Sequence, residues 1–190
     1  MNTKATLTIL VLLIACPLHF LGQGSLTYAE RRGMELMADT THPVDIHLYG
    51  ITTDRTDPDE EKLLPGVTIT MRDLYGETAQ ITSDDSAFYH LELKFDNKYL
   101  IYFEYENMYT KYIEVDTRDV IDIEQERGYM LPTDMSMQPS ENYKIAALYL
   151  RKPIGRLYFE RRLQMMSWDM DYTDKIKQDV KKLESKKNKR

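Results

Sequence analysis

The sequence predicts a mainly β protein: an antiparallel Greek-key β-sandwich of about seven strands, followed by a C-terminal helical extension. Three observations carry that expectation. From Val44 to Val115 apolar and polar residues alternate in short runs, the period-two pattern of strands with one buried face. The runs recur about every ten residues and are separated by turn-forming clusters, which is the spacing of hairpins rather than of strand–helix–strand units. Beyond Pro139 the apolar residues change to helical spacing.

The chain opens with Lys4, an apolar run from Leu7 to Leu21 and a small-residue exit at Gly22-Gln23-Gly24. Residues 1–24 therefore read as a secretion signal, which expects an exported protein, periplasmic or extracellular. Leu13-Ile14-Ala15-Cys16 also fits the lipobox of a bacterial lipoprotein, so an outer-membrane lipoprotein acylated at Cys16 is the alternative. The apolar residues that continue after Cys16, and the small residues at Gly22 and Gly24, favour simple cleavage near Gly24. Cys16 is the only cysteine, so no disulfide forms and stability must come from a packed core.

Residues 25–42 form a leader segment, and residues 43–138 read as the sandwich. Val44, Ile46 and Leu48 share one face of its first strand. A polar loop from Thr53 to Glu61 separates it from Val67, Ile69 and Met71. Pro65 fixes φ for a turn before that second strand, and Gly66 permits the positive φ that launches it. Further strands are expected at Glu77 to Thr82, at Tyr89, Leu91, Leu93 and Phe95, at Tyr99, Ile101, Phe103 and Tyr105, and at Ile113 and Val115. A seventh is expected between Gly128 and Met137. Turns fall at Tyr75-Gly76, Asp84-Asp85-Ser86, Asp96-Asn97 and Glu106-Asn107.

Residues 139–190 read as a basic extension. Tyr143, Ala146, Ala147 and Leu150 line a short helix that stops before Pro153. Asp171 reads as the N-cap of a second, amphipathic helix whose stripe is Tyr172, Ile176, Val180 and Leu183. Charge divides at the same place: residues 25–141 hold 10 Lys and Arg against 25 Asp and Glu, whereas residues 142–190 hold 14 against 6. An acidic body and an exported address argue against a nucleic-acid partner. Arg151, Lys152, Arg156, Arg161 and Arg162 are suited either to an anionic membrane surface or to the chain's own acidic sandwich.

With the strands in place, the segment from Val44 to Thr117 resembles the carboxypeptidase regulatory-like family, a transthyretin-like or prealbumin-like β-sandwich of Gram-negative envelope proteins. The elements that carry the resemblance are Leu48-Tyr49-Gly50-Ile51, Leu64-Pro65-Gly66-Val67-Thr68-Ile69, Thr82-Ser83-Asp84-Asp85-Ser86-Ala87-Phe88, and the Tyr-rich strand from Tyr99 to Tyr105. The pattern departs at Ser86, where the family most often has Gly. The resemblance implies folding support, protein contact or carbohydrate contact rather than catalysis.

Candidate chemistry is sparse. There is no Gly-x-Ser-x-Gly elbow. His42 lies in the leader, and His47 and His90 alternate with apolar neighbours as solvent-side strand residues, so no catalytic residue is expected. Asp54, Asp57, Asp59, Glu60 and Glu61 could offer oxygen ligands to Ca²⁺, with Asp84 and Asp85 added if the two loops meet; a solvated acidic loop is the favoured reading. Tyr99 and Tyr105 are expected in the core, while Tyr102 is the exposed tyrosine available to a sugar or a protein. Met130, Met135, Met137, Met165, Met166 and Met170 lack the clustering of a copper motif and read as packing. No catalytic, cofactor-binding or metal site and no cofactor is assigned. The expectation is an exported, non-catalytic module that binds another cell-envelope protein. The alternatives are a carbohydrate- or Ca-assisted ligand binder and a lipid-anchored accessory subunit of an outer-membrane complex.

Overall fold

The computed structural model describes residue 32 and residues 46–57, 60–121 and 128–187, the side chains of 186 and 187 excepted. The signal segment with Cys16, His42 of the leader and Asp59 of the acidic loop lie outside the described residues. The described chain is mainly β, with two sheets and two helices. No described helix is long and apolar enough to cross a membrane.

The first sheet is built around β1 (Ile46–Asp57). Its first half lies between antiparallel β5 (Phe88–Leu93) and parallel β8 (Tyr129–Pro132). Its second half lies between antiparallel β2 (Glu60–Leu63) and parallel β9 (Met135–Met137). The polar stretch from Thr53 to Glu61 is thus not a loop but largely a two-stranded ribbon. Its residues are mostly exposed on both faces, so the apolar alternation that announces a half-buried strand never appears there.

The second sheet runs in the order β11 (Met165–Trp168), β10 (Gly155–Glu160), β7 (Lys111–Asp116), β6 (Lys98–Glu104), β3 (Thr68–Arg72), β4 (Thr78–Thr82). Two corrections arise here. The extension is not helical throughout: β10 and β11 form an antiparallel pair, and β10 joins β7 in parallel. Leu157, Phe159 and Met166 bury while their neighbours stay more exposed, a period-two signal too short to stand out between two helices. The expected seventh strand is two strands, β8 and β9, each parallel to β1. The break falls at Pro132, which cannot donate to a ladder, and at Thr133, whose carbonyl turns inward to accept from the Tyr89 hydroxyl. Gly50 permits that approach, since a Cβ there would lie 2.1 Å from the Thr133 carbonyl oxygen.

The two sheets share one apolar core. Ile46, Leu48, Leu91 and Leu93 come from the first; Ile69, Ile101, Phe103, Val115 and Leu157 come from the second, with Val67 just ahead of β3. Tyr89 meets Phe103 edge-on across the layers, with centroids 5.3 Å apart. Each such side chain contributes about 1.5–3 kcal/mol by leaving water. Gly66 has φ +80° as expected, and the Asp84 turn places its left-handed residue at Ala87, φ 60°, next to the departing Ser86.

Two helices follow: α1 (Tyr143–Arg151) and α2 (Met170–Lys187). Their inner faces, Ile145 and Tyr149 of α1 and Ile176 of α2, bury together with Tyr109. The α2 stripe is as expected, for Tyr172, Val180 and Leu183 pack against that cluster. The α1 face is not: Tyr143 and Leu150 are exposed. Asn142 caps α1 by accepting from the Lys144 amide while its own amide donates to the Tyr109 hydroxyl, which sets the helix phase. The α2 cap is Asp169 rather than Asp171, because its carboxylate accepts from the Tyr172 amide, the third residue of the first turn, at 2.9 Å.

Candidate functional site

Lys111 opens β7 and has the same parity as Ile113 and Val115, so the pleat turns it toward the interior, opposite Phe103 of β6. Only 5% of the residue is exposed. The ammonium donates to the Ser136 carbonyl at 2.6 Å and to Gln138 Oε1 at 3.2 Å, and it stands 5.5 Å from the Tyr149 ring centroid. Burial, and secondarily the Arg55 guanidinium, push its pKa down to about 8. It remains cationic at neutral pH with neutral oxygens as hydrogen-bond partners.

Lys111 lies in a cavity of about 470 Å³ between β9 and α2. Arg55, Lys177 and Lys181 add positive charge to its lining, against Asp134 and Glu184. Burial, then Glu184 and Tyr109, push the Tyr149 phenol up to about 12, so it stays protonated there. An adjoining cavity of about 300 Å³, with Gly155, Trp168 and Met170 in its wall, shares Asp134, Met135, Ile154 and Thr173 with the first. The two form one elongated groove with an apolar run at one end and a buried cation at the other. One desolvated positive charge lies at the floor, and Arg55, Lys177 and Lys181 stand at the rim beside Asp134 and Glu184, an arrangement able to hold an anionic group.

A second cluster lies on the outer face of the first sheet. The β1–β5 register sets His47 opposite Glu92 and Tyr49 opposite His90, which makes the two histidines diagonal neighbours on one face. His47 Nδ1 and His90 Nε2 are 2.9 Å apart, with ring planes 16° apart and centroids 5.1 Å apart. Burial, and then His47, lower the His90 pKa, while Glu92 opposes them. His47 is only 5% exposed, which corrects its placement on the solvent side. It is strand-borne as expected, but its ring is covered and hydrogen-bonded.

The other expected candidates are largely engaged in structural roles. Asp54 accepts from the amide and the hydroxyl of Thr56, Glu61 accepts from Thr53, and Glu60 pairs with Lys62. Asp84 holds the amides of Ser86 and Phe88. Among the described residues, the carboxylates of these two turns bring no three ligand atoms together. Tyr102 is half-buried and lies on Tyr112 with centroids 4.9 Å apart. Tyr105, expected in the core, is 38% exposed, because β6 ends at Glu104. Met135, Met137 and Met166 fill the core, while Met165 and Met170 are exposed.

Part of the basic cluster turns inward on the chain's own acids. Arg161 meets Asp119 at 2.7 Å, Lys152 meets Asp179 at 3.7 Å, and Arg156 meets Glu114 at 3.8 Å while lying 4.0 Å over the Tyr172 ring. Arg151 and Arg162 are exposed. Sequence reasoning missed Lys111. The available signal was its parity: a lysine two residues before Ile113 and four before Val115 points into the core.

No protein-family model matches the sequence. No curated protein matches it either. Among solved structures, the chain is similar to a C-terminal fragment of the pilus adhesin SpaC from Lactobacillus rhamnosus GG, at 18% identity and TM-score 0.35 over 50% of this chain and 45% of that one. It is similar to catechol 1,2-dioxygenase from Pseudomonas arvilla C-1, at 12% identity and TM-score 0.38 over 60% and 59%. It is also similar to the TIE protein of Bacillus anthracis, at 12% identity and TM-score 0.37 over 50% and 18%. The chain therefore spans less than two thirds of each of these three, and likenesses this slight carry no argument about activity.

Proposed function

We propose that this chain is an exported, non-catalytic module that binds an acidic segment of another cell-envelope protein in the groove beside Lys111. The fold assigned with it is a Greek-key sandwich of the carboxypeptidase regulatory-like kind, exported by residues 1–24 or anchored through Cys16. The observation that carries the binding reading is the buried lysine at the groove floor, with Arg55, Lys177 and Lys181 around it. A buried cation is costly unless something negative meets it, and the elongated shape suits a stretch of chain better than a compact ion. The Ca-assisted alternative has less support, since Asp54, Glu60 and Glu61 already hold partners within their own ribbon.

The test is calorimetric titration of an acidic hexapeptide of Asp and Glu into the protein at pH 7. Saturable one-to-one binding is expected, weakened at least about tenfold by Lys177→Glu combined with Lys181→Glu, two exposed positions whose reversal leaves the core intact. Affinity untouched by that double reversal, or no binding by the unaltered protein, overturns the reading.

A further inference from the structure

We propose that His47, His90 and Glu92 form a binding site for one divalent transition-metal ion of the nickel–copper–zinc group. The site is separate from the groove and does not depend on it. The ligand atoms of the three side chains all lie within 4.8 Å of one another. They are held by β1 and β5, paired over six consecutive residues, so the site is built on rigid strands rather than on a loop.

The nitrogen separation, though not yet the direction of the lone pairs, is that of two bound imidazoles. With metal–nitrogen bonds of about 2.0–2.1 Å, two ligand nitrogens lie about 2.9 Å apart at a right angle and about 3.4 Å apart at a tetrahedral angle. The observed separation is 2.9 Å. The 5.1 Å between centroids equals that separation plus the two ring radii, so the nitrogens face one another across a shared hydrogen. A metal seats beside that line, at the apex of a right angle between its two bonds, so each ring must turn by about 45° in its own plane to aim its lone pair at the ion. The bridging hydrogen moves to the far nitrogen of its own ring, so two neutral imidazoles become ligands with no net proton released. Glu92 supplies the charge, and the local balance goes from −1 to +1 as the dication binds.

The donor set selects the metal. Two imidazoles and one carboxylate suit zinc, nickel and copper(II), whereas calcium and magnesium ask for an all-oxygen shell. Three protein ligands leave a coordination position open, and Glu92, exposed where His47 is buried, leaves the approach from its own side.

The test uses the protein purified without a histidine tag and titrated with NiCl₂, ZnCl₂ or CuCl₂ at pH 7, with melting temperature and heat as readouts. One ion per chain is expected, together with a raised melting temperature and a copper(II) spectrum showing coupling to two imidazole nitrogens. His90→Ala is expected to weaken binding by about a hundredfold and remove one nitrogen coupling, and Glu92→Gln, at an exposed position, by about tenfold. Absence of saturable binding overturns the proposal. So does binding that neither substitution weakens, which would assign the ion to the acidic ribbon of β1 and β2.

Discussion

Lys111 and His47 are equally hidden, each 5% exposed, yet the two sheets treat a buried basic group in different ways. In the second sheet Lys111 keeps its charge beside a carbonyl and an amide oxygen, with Arg55 adding repulsion. In the first sheet His47 finds a second imidazole, and the two rings hydrogen-bond to one another at 2.9 Å. The contrast teaches where stability has been given up: the lysine is held charged away from water with only neutral oxygens beside it, whereas each histidine has the other as a hydrogen-bond partner. A group kept buried and charged at such a cost is a sign of a ligand-facing site.

The largest effect on this comparison is expected from Ile176→Ala. Ile176 is 3% exposed, lines the groove and packs with Tyr109 and Tyr149, so truncation should cost about 2–5 kcal/mol in denaturant unfolding. It should also let water reach Lys111 and raise its pKa toward the ordinary 10.5, while leaving the His47–His90 pair untouched. An unchanged lysine titration by NMR would mean that α2 does not seal the groove.

Lys111→Met comes next and tests the cost directly. The folded pKa of about 8 lies below the ordinary lysine value of 10.5, so between those values the unfolded chain binds more protons than the folded one. Stability of the unaltered protein therefore rises as pH climbs from about 8 toward 10.5, and below pH 8 the full penalty is present, about 3 kcal/mol. The methionine variant should be more stable at pH 7 by about 1–3 kcal/mol, less what Ser136 and Gln138 lose as acceptors, and the gap should close at alkaline pH. A variant less stable than the parent at pH 7 would break the contrast.

The smallest effect is expected from His90→Ala without metal. It removes one hydrogen bond from a half-buried ring and leaves His47 unpaired, a loss of about 1 kcal/mol readable as a small fall in melting temperature. A loss several times larger would make the histidine pair a stabilising element in its own right.

Much of the fold was legible because alternation reports one-sided burial. Ile46 and Leu48, then Tyr99, Ile101 and Phe103, face the core as their spacing demands. What the pattern hid has specific physical reasons. The ribbon of β1 and β2 is exposed on both faces and shows no alternation; β8 and β9 are short and split around Pro132; β10 lies between helices whose longer periodicity dominates. The candidate site was less legible. Lys111 was missed although it shares the parity of Ile113 and Val115, because a single lysine against a run of apolar residues is easily read past. His47 and His90 are 43 residues apart, and only the register of β1 against β5 makes them neighbours.

The placement of β1 has a consequence for how the chain comes to be folded. Among the described strands it is the first in sequence, yet Ile46 to Tyr49 pair with residues 129–132, and Thr52 to Asp54 with residues 135–137. A chain delivered from its N-terminus holds β1 and β5 long before β8 and β9 arrive, and until then one edge of β1 offers unsatisfied amides and carbonyls to any passing strand. Such long-range closure is slow. Residues 129–137 therefore act as the fastening of the first sheet, and a chain that ends before them should be prone to pair with its own copies.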